Sequence, residues 1–351
     1  MRRTPYRTWA MACGAIALIV AAFLYALNPK DSAIKSAMPL PELRTTCIGR
    51  FLIDLPVDME FSGDVDFYYG LTKDFQTTKF EPLAFLSDQH KFRRLVEKRL
   101  GDLRAQREPD TPTHTHLAES KVIDDFSVLI VSYREPFPAL KMEIIMQRGN
   151  SIGRISRKIY NNASQTDNPK EIESELISMA HRITAADDPL HAGKGTCFGN
   201  MLINDNHDGE VFTVFAGSKR YPDIGIELFI DSMLAKNDGG MLRRIDNEIG
   251  ALKMIADTGT IVRRGKTIVA GKAAEEIVKT FKEKNKVVRH FDVETLLPTP
   301  ARLNDPHIHL GMRMGGQVAS GEYVDASLSE SDSLRLWDDM LKSVRVRPGS
   351  F

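Results

Sequence analysis

Apolar and polar residues alternate with a period of two along much of the chain, the pattern typical of strands. In the first half this pattern predicts strands at residues 65–71, 116–123, 126–134, 139–148 and 152–160. Apolar residues spaced three or four apart predict a helix after the first of these strands, with Phe92, Val96 and Leu103 on one face. A second helix follows the last strand, and its start is marked by Asn168 as N-cap and Pro169 at the first position.

The second half repeats this order. Strand patterns occur at residues 210–217, 225–230, 260–269, 275–282, 286–296 and 307–314. A helix pattern over residues 242–252 follows the second of them, and another, with Leu334, Trp337 and Leu341, closes the chain. Residues 46–54 and 196–204 share five of nine residues at an offset of 150. The matching order of elements and this local identity favour a duplication.

The predicted fold class is therefore α+β: two tandem, duplicated domains, each a mainly antiparallel sheet with two helices. Residues 45–188 form the predicted N-terminal domain and residues 189–351 the C-terminal one. The boundary lies in a segment rich in aspartate, glycine and proline.

Residues 8–28 carry no charge and are long enough to cross a bilayer as a helix. Arg2, Arg3 and Arg7 precede them, which predicts a cytoplasmic N-terminus and export of everything after Lys30. The fold class thus includes one N-terminal transmembrane helix within residues 1–30, followed by a linker at residues 31–44. The apolar stretch is longer than that of a cleavable signal, so an inner-membrane anchor is favoured over cleavage.

The formal charge is zero, with 47 basic and 47 acidic residues. Residues 1–30 carry four basic residues and no acidic one, so residues 31–351 have a charge of −4. That charge disfavours binding to nucleic acid, because phosphate backbones require cations. An ordinary fraction of apolar and charged residues excludes a disordered chain.

A serine hydrolase is the first enzymatic alternative, because residues 149–153 fit the pattern G-x-S-x-G with Ser151 at its centre. That chemistry needs a strand, a sharp turn and a helix. The residues after Ser151 alternate as a strand instead, and Gly149-Asn150 is typical of a hairpin turn. A hairpin is therefore favoured.

A metal-dependent enzyme is the second alternative. His307 and His309 share one face of a strand, and His290 lies on a neighbouring strand. No zinc motif supports a closed ligand set, so solvated or interface histidines are favoured. Residues 204–209 resemble a calcium loop but lack its regular oxygen ligands, and a polar turn is favoured. No catalytic residue, cofactor or metal site is predicted.

Cys47 and Cys197 lie at equivalent positions of the two repeats. Export would place them in an oxidising compartment, where a disulfide between them can form. The alternative is that each is a buried, small apolar residue, and the sequence favours that alternative slightly.

The exported part resembles immunity proteins of type VI secretion systems that neutralise lipase effectors. Cys47 to Pro56 resembles the opening motif of that family. Four stretches of the second half resemble its C-terminal domain: residues 197–199, 271–276, 306–314 and 336–348. The likeness extends over residues 45–348, and the order of these motifs carries it.

The resemblance implies a periplasmic, non-enzymatic antitoxin, anchored in the inner membrane by residues 8–28 or released after cleavage. It would bind a phospholipase effector and block substrate access. We expect the contact in the cleft and loops between the domains, and the residues expected there are Asn204, Asp205, His207, Asp208, Tyr221 and Asp223. A structural envelope protein without a toxin partner remains a further alternative.

Overall fold

The computed structural model describes residues 39–70, 76–85, 87–108, 111–134, 139–162, 165–235, 239–247 and 259–351. The elements of the first half are β1 (Leu43–Ile48), β2 (Phe51–Pro56), β3 (Met59–Tyr69), β4 (Gln76–Ala84), α1 (Gln89–Ala105), β5 (Arg107–Glu108), β6 (Thr111–Thr115), β7 (Leu117–Asp124), β8 (Ser127–Tyr133), β9 (Leu140–Arg148), β10 (Ser151–Ile159), β11 (Asn161–Asn162), β12 (Gln165–Thr166), α2 (Pro169–Arg182) and β13 (Ile183–Ala185).

The second half follows with a similar set. Its elements are β14 (Thr196–Phe198), β15 (Met201–Ile203), β16 (Gly209–Ser218), β17 (Ile224–Asp231), α3 (Met241–Asn247), β18 (Thr260–Val269), β19 (Lys272–Glu283), β20 (Lys286–Thr295), β21 (His307–Met314), β22 (Gly316–Gln317), β23 (Tyr323–Val324), α4 (Glu330–Ser343) and β24 (Arg345–Val346).

A single antiparallel sheet of twelve strands contains strands of both halves, in the order β18-β19-β20-β21-β17-β16-β3-β4-β10-β9-β8-β7. The predicted fold class, two tandem domains each with its own sheet, is therefore wrong. In two separate domains, β3 and β16 would each be an edge strand with a long row of unpaired backbone N–H and C=O groups. In the structure these groups form hydrogen bonds between β3 and β16 instead. Each half contributes six strands in the same spatial order.

The junction of β3 and β16 has a symmetric register. Tyr68 lies opposite Gly209 at one end, and Met59 lies opposite Ser218 at the other. Since Met59 and Gly209 differ by the repeat offset of 150, each pair has a counterpart with the halves interchanged. A local two-fold axis therefore passes between the two strands.

Gly63 lies beside this axis with φ +130°. A Cβ atom there would come within 2.1 Å of the carbonyl oxygen of Thr213. The close approach of the two central strands therefore requires glycine at this position.

Two small sheets join the halves a second time. β24, at the end of the second half, pairs with β2 of the first half, in the sheet β1-β2-β24. β13, at the end of the first half, pairs with β15 of the second half, in the sheet β14-β15-β13. We call β13 and β24 the exchanged strands, because each completes a hairpin of the opposite half.

One face of the large sheet, here called the inner face, holds the main core. Alternate side chains of β21, including Ile308, Leu310 and Met312, point into it. Helices α2 and α4 pack on this face, with Leu176 and Trp337 among their fully buried side chains. The Asn168 side chain caps α2, as the sequence predicts, by accepting a hydrogen bond from the backbone N–H of Lys170, the second residue of the helix.

The opposite side of the sheet is here called the outer face. Helix α1 covers one end of it, where Phe92 and Val96 pack against Ile130 and Ile145. Helix α3 lies toward the other end, where the Leu242 N–H donates to Glu275 Oε2 at 2.8 Å. Between these two helices, no described helix covers the strands in the middle of the sheet.

The predicted transmembrane helix, residues 8–28, lies outside the described residues. Within them, no helix is both long and apolar enough to cross a bilayer. The structure therefore gives no support to the transmembrane part of the predicted fold class or to inner-membrane anchoring.

Candidate functional site

The three strands in the middle of the outer face, β3, β16 and β17, contain no lysine or arginine. All six of their charged residues are acidic. The register places five of these on the outer face: Glu60, Asp64, Asp66, Glu227 and Asp231. The sixth, Glu210, points to the interior. We call β3, β16 and β17 the central strands.

An apolar group lies among these carboxylates. Phe215 is 46% exposed, although it occupies the middle of the sheet. Phe229 lies opposite Thr213 on the neighbouring strand, so its ring is a diagonal neighbour of Phe215 on the same face. Val211 continues the row and lies opposite both Asp66 and Asp231. We call Val211, Phe215 and Phe229 the aromatic patch.

The carboxylates around the patch differ in their partners. Lys79 pairs with Asp64 at 2.8 Å, and Lys219 pairs with Glu60 at 2.6 Å. Among the described residues, Asp66, Glu227 and Asp231 form no ion pair with a lysine or arginine. Burial raises the pKa of Asp66 and that of Asp231, because desolvation disfavours the charged form.

Three histidines follow on the outer face of β20 and β21. His307 Nε2 lies 2.9 Å from Glu294 Oε1. His290 and His309 contact the two oxygens of Asp292, at 3.1 and 3.3 Å. Burial opposes ionisation of Asp292, yet the neighbouring histidines hold the pKa of Asp292 below its ordinary value. Burial also opposes protonation of His309, but the hydrogen bond to Asp292 raises the pKa of His309 above its ordinary value.

The histidines were the basis of the metal-dependent alternative. Within the described part of the chain, no group of three or more histidine, cysteine, aspartate or glutamate residues has a geometry suited to a metal. Each histidine instead faces a carboxylate, which is the arrangement of a hydrogen-bonded surface. The structure does not support a zinc site at His307 and His309.

The loop between β15 and β16 contains four of the six residues expected to contact a partner. Asp205 accepts a hydrogen bond from the Tyr69 hydroxyl at 2.5 Å and pairs with Arg182. Burial and the Asp205 carboxylate raise the pKa of Tyr69. Asn204 and Asp205 line a cleft of about 690 Å³ together with Arg157.

His207 points away from solvent. Its Nε2 lies 2.8 Å from Glu210 Oε2, and Arg50 Nε lies 3.3 Å from the other oxygen of that carboxylate. The Thr196 hydroxyl also donates to Glu210, at 2.6 Å. The histidine is therefore part of a buried polar cluster that connects the halves. Asp208 is exposed and accepts a hydrogen bond from the backbone N–H of Gly70.

Tyr221 and Asp223 lie in the loop at the opposite end of β16. Because β16 has 10 residues and a strand rises about 3.3 Å per residue, the two loops are roughly 30 Å apart. Tyr221 is 1% exposed, and its hydroxyl donates to the carbonyl of Pro39 at 2.5 Å. Asp223 is buried and accepts from the Ser327 N–H at 2.8 Å. The six expected residues thus form two separate groups, of which Tyr221 and Asp223 are buried against the protein's own chain.

Ser151 lies at the start of β10, directly after a tight turn that joins it to β9. It is fully buried and pairs with Arg148 across the hairpin. Gly149 adopts φ +56° in the turn. The strand–turn–helix arrangement of a serine hydrolase is absent at this site, and the hairpin interpretation agrees with the structure.

Cys47 and Cys197 meet beside the two-fold axis. Their Cα atoms are 5.9 Å apart, within the range that a disulfide requires. The backbones of Gly49 and Cys197 exchange two hydrogen bonds, at 2.7 and 2.9 Å, so the two repeated segments lie side by side.

Comparison with known proteins identifies the second half. Residues 190–349 match the family model described as the Tle cognate immunity protein 4 (Tli4) C-terminal domain. This part of the chain is similar to a Tli4 C-terminal domain. The resemblance to lipase immunity proteins of type VI secretion systems (T6SS) is thereby confirmed. No curated protein sequence matches the chain.

Three solved structures share the fold. The apo structure of T6SS immunity protein TplEi from Pseudomonas aeruginosa matches with a TM-score of 0.61 at 20% identity, covering 88% of this chain and 98% of that one. The TplEi complex with "L" peptide gives 0.58 at 19% identity, covering 87% and 98%. The Tle4–Tli4 complex gives 0.61 at 21% identity, covering 88% and 98%.

The Tli4 match and the similar structures concern immunity proteins rather than enzymes, which confirms the prediction of a non-enzymatic protein.

The aromatic patch and its carboxylates were not predicted from the sequence. A signal for them exists, because three strands in succession along the sheet lack any basic residue. Reading that signal requires knowing that β3 and β16 are neighbours.

Proposed function

We propose that this chain is an immunity protein that binds a type VI secreted phospholipase effector and blocks the access of its substrate. The observation that carries the proposal is the match of residues 190–349 to the Tli4 C-terminal domain. A further support is that a protein of the same fold has been solved in the Tle4–Tli4 complex.

The two loops at the ends of β16 remain our proposal for part of the contact surface. Asn204 and Asp208 are exposed and available to a partner. His207, Tyr221 and Asp223 would act indirectly, because their side chains hold the loops in place. Alanine at Asn204 and Asp208 should weaken effector binding without changing the melting temperature, and unchanged affinity would remove these residues from the interface.

The proposed site of action is the periplasm, where lipase effectors would meet phospholipid. The proximity of Cys47 and Cys197 supports this location, because a disulfide is stable in an oxidising compartment. We propose that these two cysteines are bonded in the folded protein.

Co-expression tests the proposal directly. A candidate effector, a lipase from a gene near that of this chain, is directed to the periplasm of a susceptible host, with and without this chain. We expect growth to be restored when the chain is present and pull-down of a stable complex from the extract. A catalytically inactive lipase is the control for toxicity, and neither protection nor binding would refute the function.

A further inference from the structure

The aromatic patch has a composition that is unusual for the middle of a sheet face. Phe215 and Phe229 are large apolar side chains that contribute strongly to interfaces, and Phe215 is nearly half exposed. Exposed apolar patches rimmed by polar residues mark interaction sites. No described helix covers this one.

The rim of the patch is acidic on both sides. Asp66 borders it on β3, and Glu227 and Asp231 border it on β17. The nearest lysine and arginine lie on the flanking strands and already have partners: Lys79, which also lies opposite Asp66, pairs with Asp64, and Arg313 pairs with Glu283. His309 lies opposite Phe229 and contacts Asp292. The surface is thus apolar in the centre, and acidic side chains outnumber lysine and arginine around it.

A phospholipase must present the complementary surface at its substrate opening. Acyl chains require an apolar lining, and phosphate groups are bound by arginine and lysine side chains. A bilayer of anionic phospholipid offers such an enzyme apolar chains beneath a layer of negative charge. The aromatic patch and its carboxylates offer the same two features on a rigid sheet.

We propose that the outer face of the central strands imitates an anionic phospholipid surface and occupies the substrate opening of the effector. The proposal rests on the proposed function and deepens it, because it names the surface of the partner that is bound. Phe215 and Phe229 take the place of the acyl chains. Asp66 and Glu227 take the place of the phosphate groups, opposite cations of the effector.

The test uses the full chain and the purified lipase against which the chain protects in the co-expression experiment. Phe215→Ala combined with Phe229→Ala should weaken binding by about 30-fold or more, the change expected for central aromatic anchors. Phe126→Ala is the matched control, because Phe126 is 44% exposed in the turn between β7 and β8 and lies at the far edge of the sheet. It should bind as the unmodified chain does.

The charged rim is tested in the same assay. Asp66→Asn with Glu227→Gln should lower affinity and reduce its dependence on salt, because fewer charges are then opposed across the interface. Glu60→Gln is the control, since Glu60 is already paired with Lys219. Circular dichroism and melting curves verify that each variant is folded.

Vesicle sedimentation tests the imitation itself. The catalytically inactive lipase should sediment with phosphatidylglycerol vesicles, and an equimolar amount of this chain should release it. Release without an effect of the Phe215 and Phe229 substitutions, or a complex that still sediments with vesicles, would overturn the proposal while leaving the immunity function intact. Absence of any binding by the unmodified chain would instead refute the proposed function.

Discussion

The pairing of Cys47 with Cys197 gives a prediction whose size follows from the chain itself. The two residues are 150 positions apart, so a bond between them closes a loop that includes the whole first half. The chain-entropy model assigns about 5 kcal/mol to a loop of this length. Reduction should therefore lower the free energy of unfolding by up to that amount.

Urea unfolding of the oxidised and the reduced protein measures this difference without changing the sequence. With a slope of about 3 kcal/mol per molar urea, the midpoint should fall by up to about 1.7 M on reduction. Cys47→Ala combined with Cys197→Ala should reproduce the reduced midpoint and should no longer respond to reductant. Agreement of the two curves separates the bond from other effects of reductant.

Titration of free thiols tests whether Cys47 and Cys197 are bonded. The chain has three cysteines, of which Cys13 lies in the apolar N-terminal segment. The unfolded, unreduced protein should show one reactive thiol if Cys47 and Cys197 are bonded. Three thiols, or an unfolding midpoint that reductant leaves unchanged, would show that the two cysteines are neighbours without a bond.

Three further predictions concern the sheet and its packing. Gly63→Ala should destabilise the protein by about 3 kcal/mol in urea unfolding, because its Cβ would collide with the opposite backbone; unchanged stability would refute the tight junction. Trp337→Phe should cost about 2 kcal/mol in the same assay, since it removes the indole donor to the buried Glu276 carboxylate; an effect below about 0.5 kcal/mol would contradict this. Because the pKa of His309 is raised in the folded protein, protonated His309 stabilises the fold at pH values below its ordinary pKa of 6.5, and this stabilisation is lost as the pH rises through the folded pKa. The pKa of Asp292 is lowered, so its contribution to stability is lost on acidification. His309→Gln should therefore flatten the loss of stability between neutral and alkaline pH, and an unaltered pH profile would exclude the contribution.

Local elements could be predicted because their signals are local. The alternation at residues 307–314 gives the bounds of β21 as observed, and the cap at Asn168 gives the start of α2. Strand β4 escaped prediction, since its inward residues Thr78 and Phe80 are flanked by charged and polar neighbours and followed by Pro82. The pattern of a single strand therefore suffices only when its two faces differ clearly.

Pairing between the halves could not be predicted by the same means. Alternation shows that β3 and β16 are strands, but it does not show which edge each one meets across more than a hundred residues. The loop at residues 204–208 was correctly expected to be a polar turn. The inward direction of His207 depends on Glu210 and Arg50, which the sequence does not place beside it.

The exchanged strands and the symmetric junction also bear on the origin of the chain. A single half would expose the edge of its central strand and would lack the third strand of its hairpin sheet, so a second copy could supply both. Cys47 and Cys197 occupy equivalent positions, as the cysteines of a symmetric disulfide between two identical subunits would. The fold has the arrangement expected of a strand-swapped homodimer joined into one gene, and in one gene each copy can acquire its own surface.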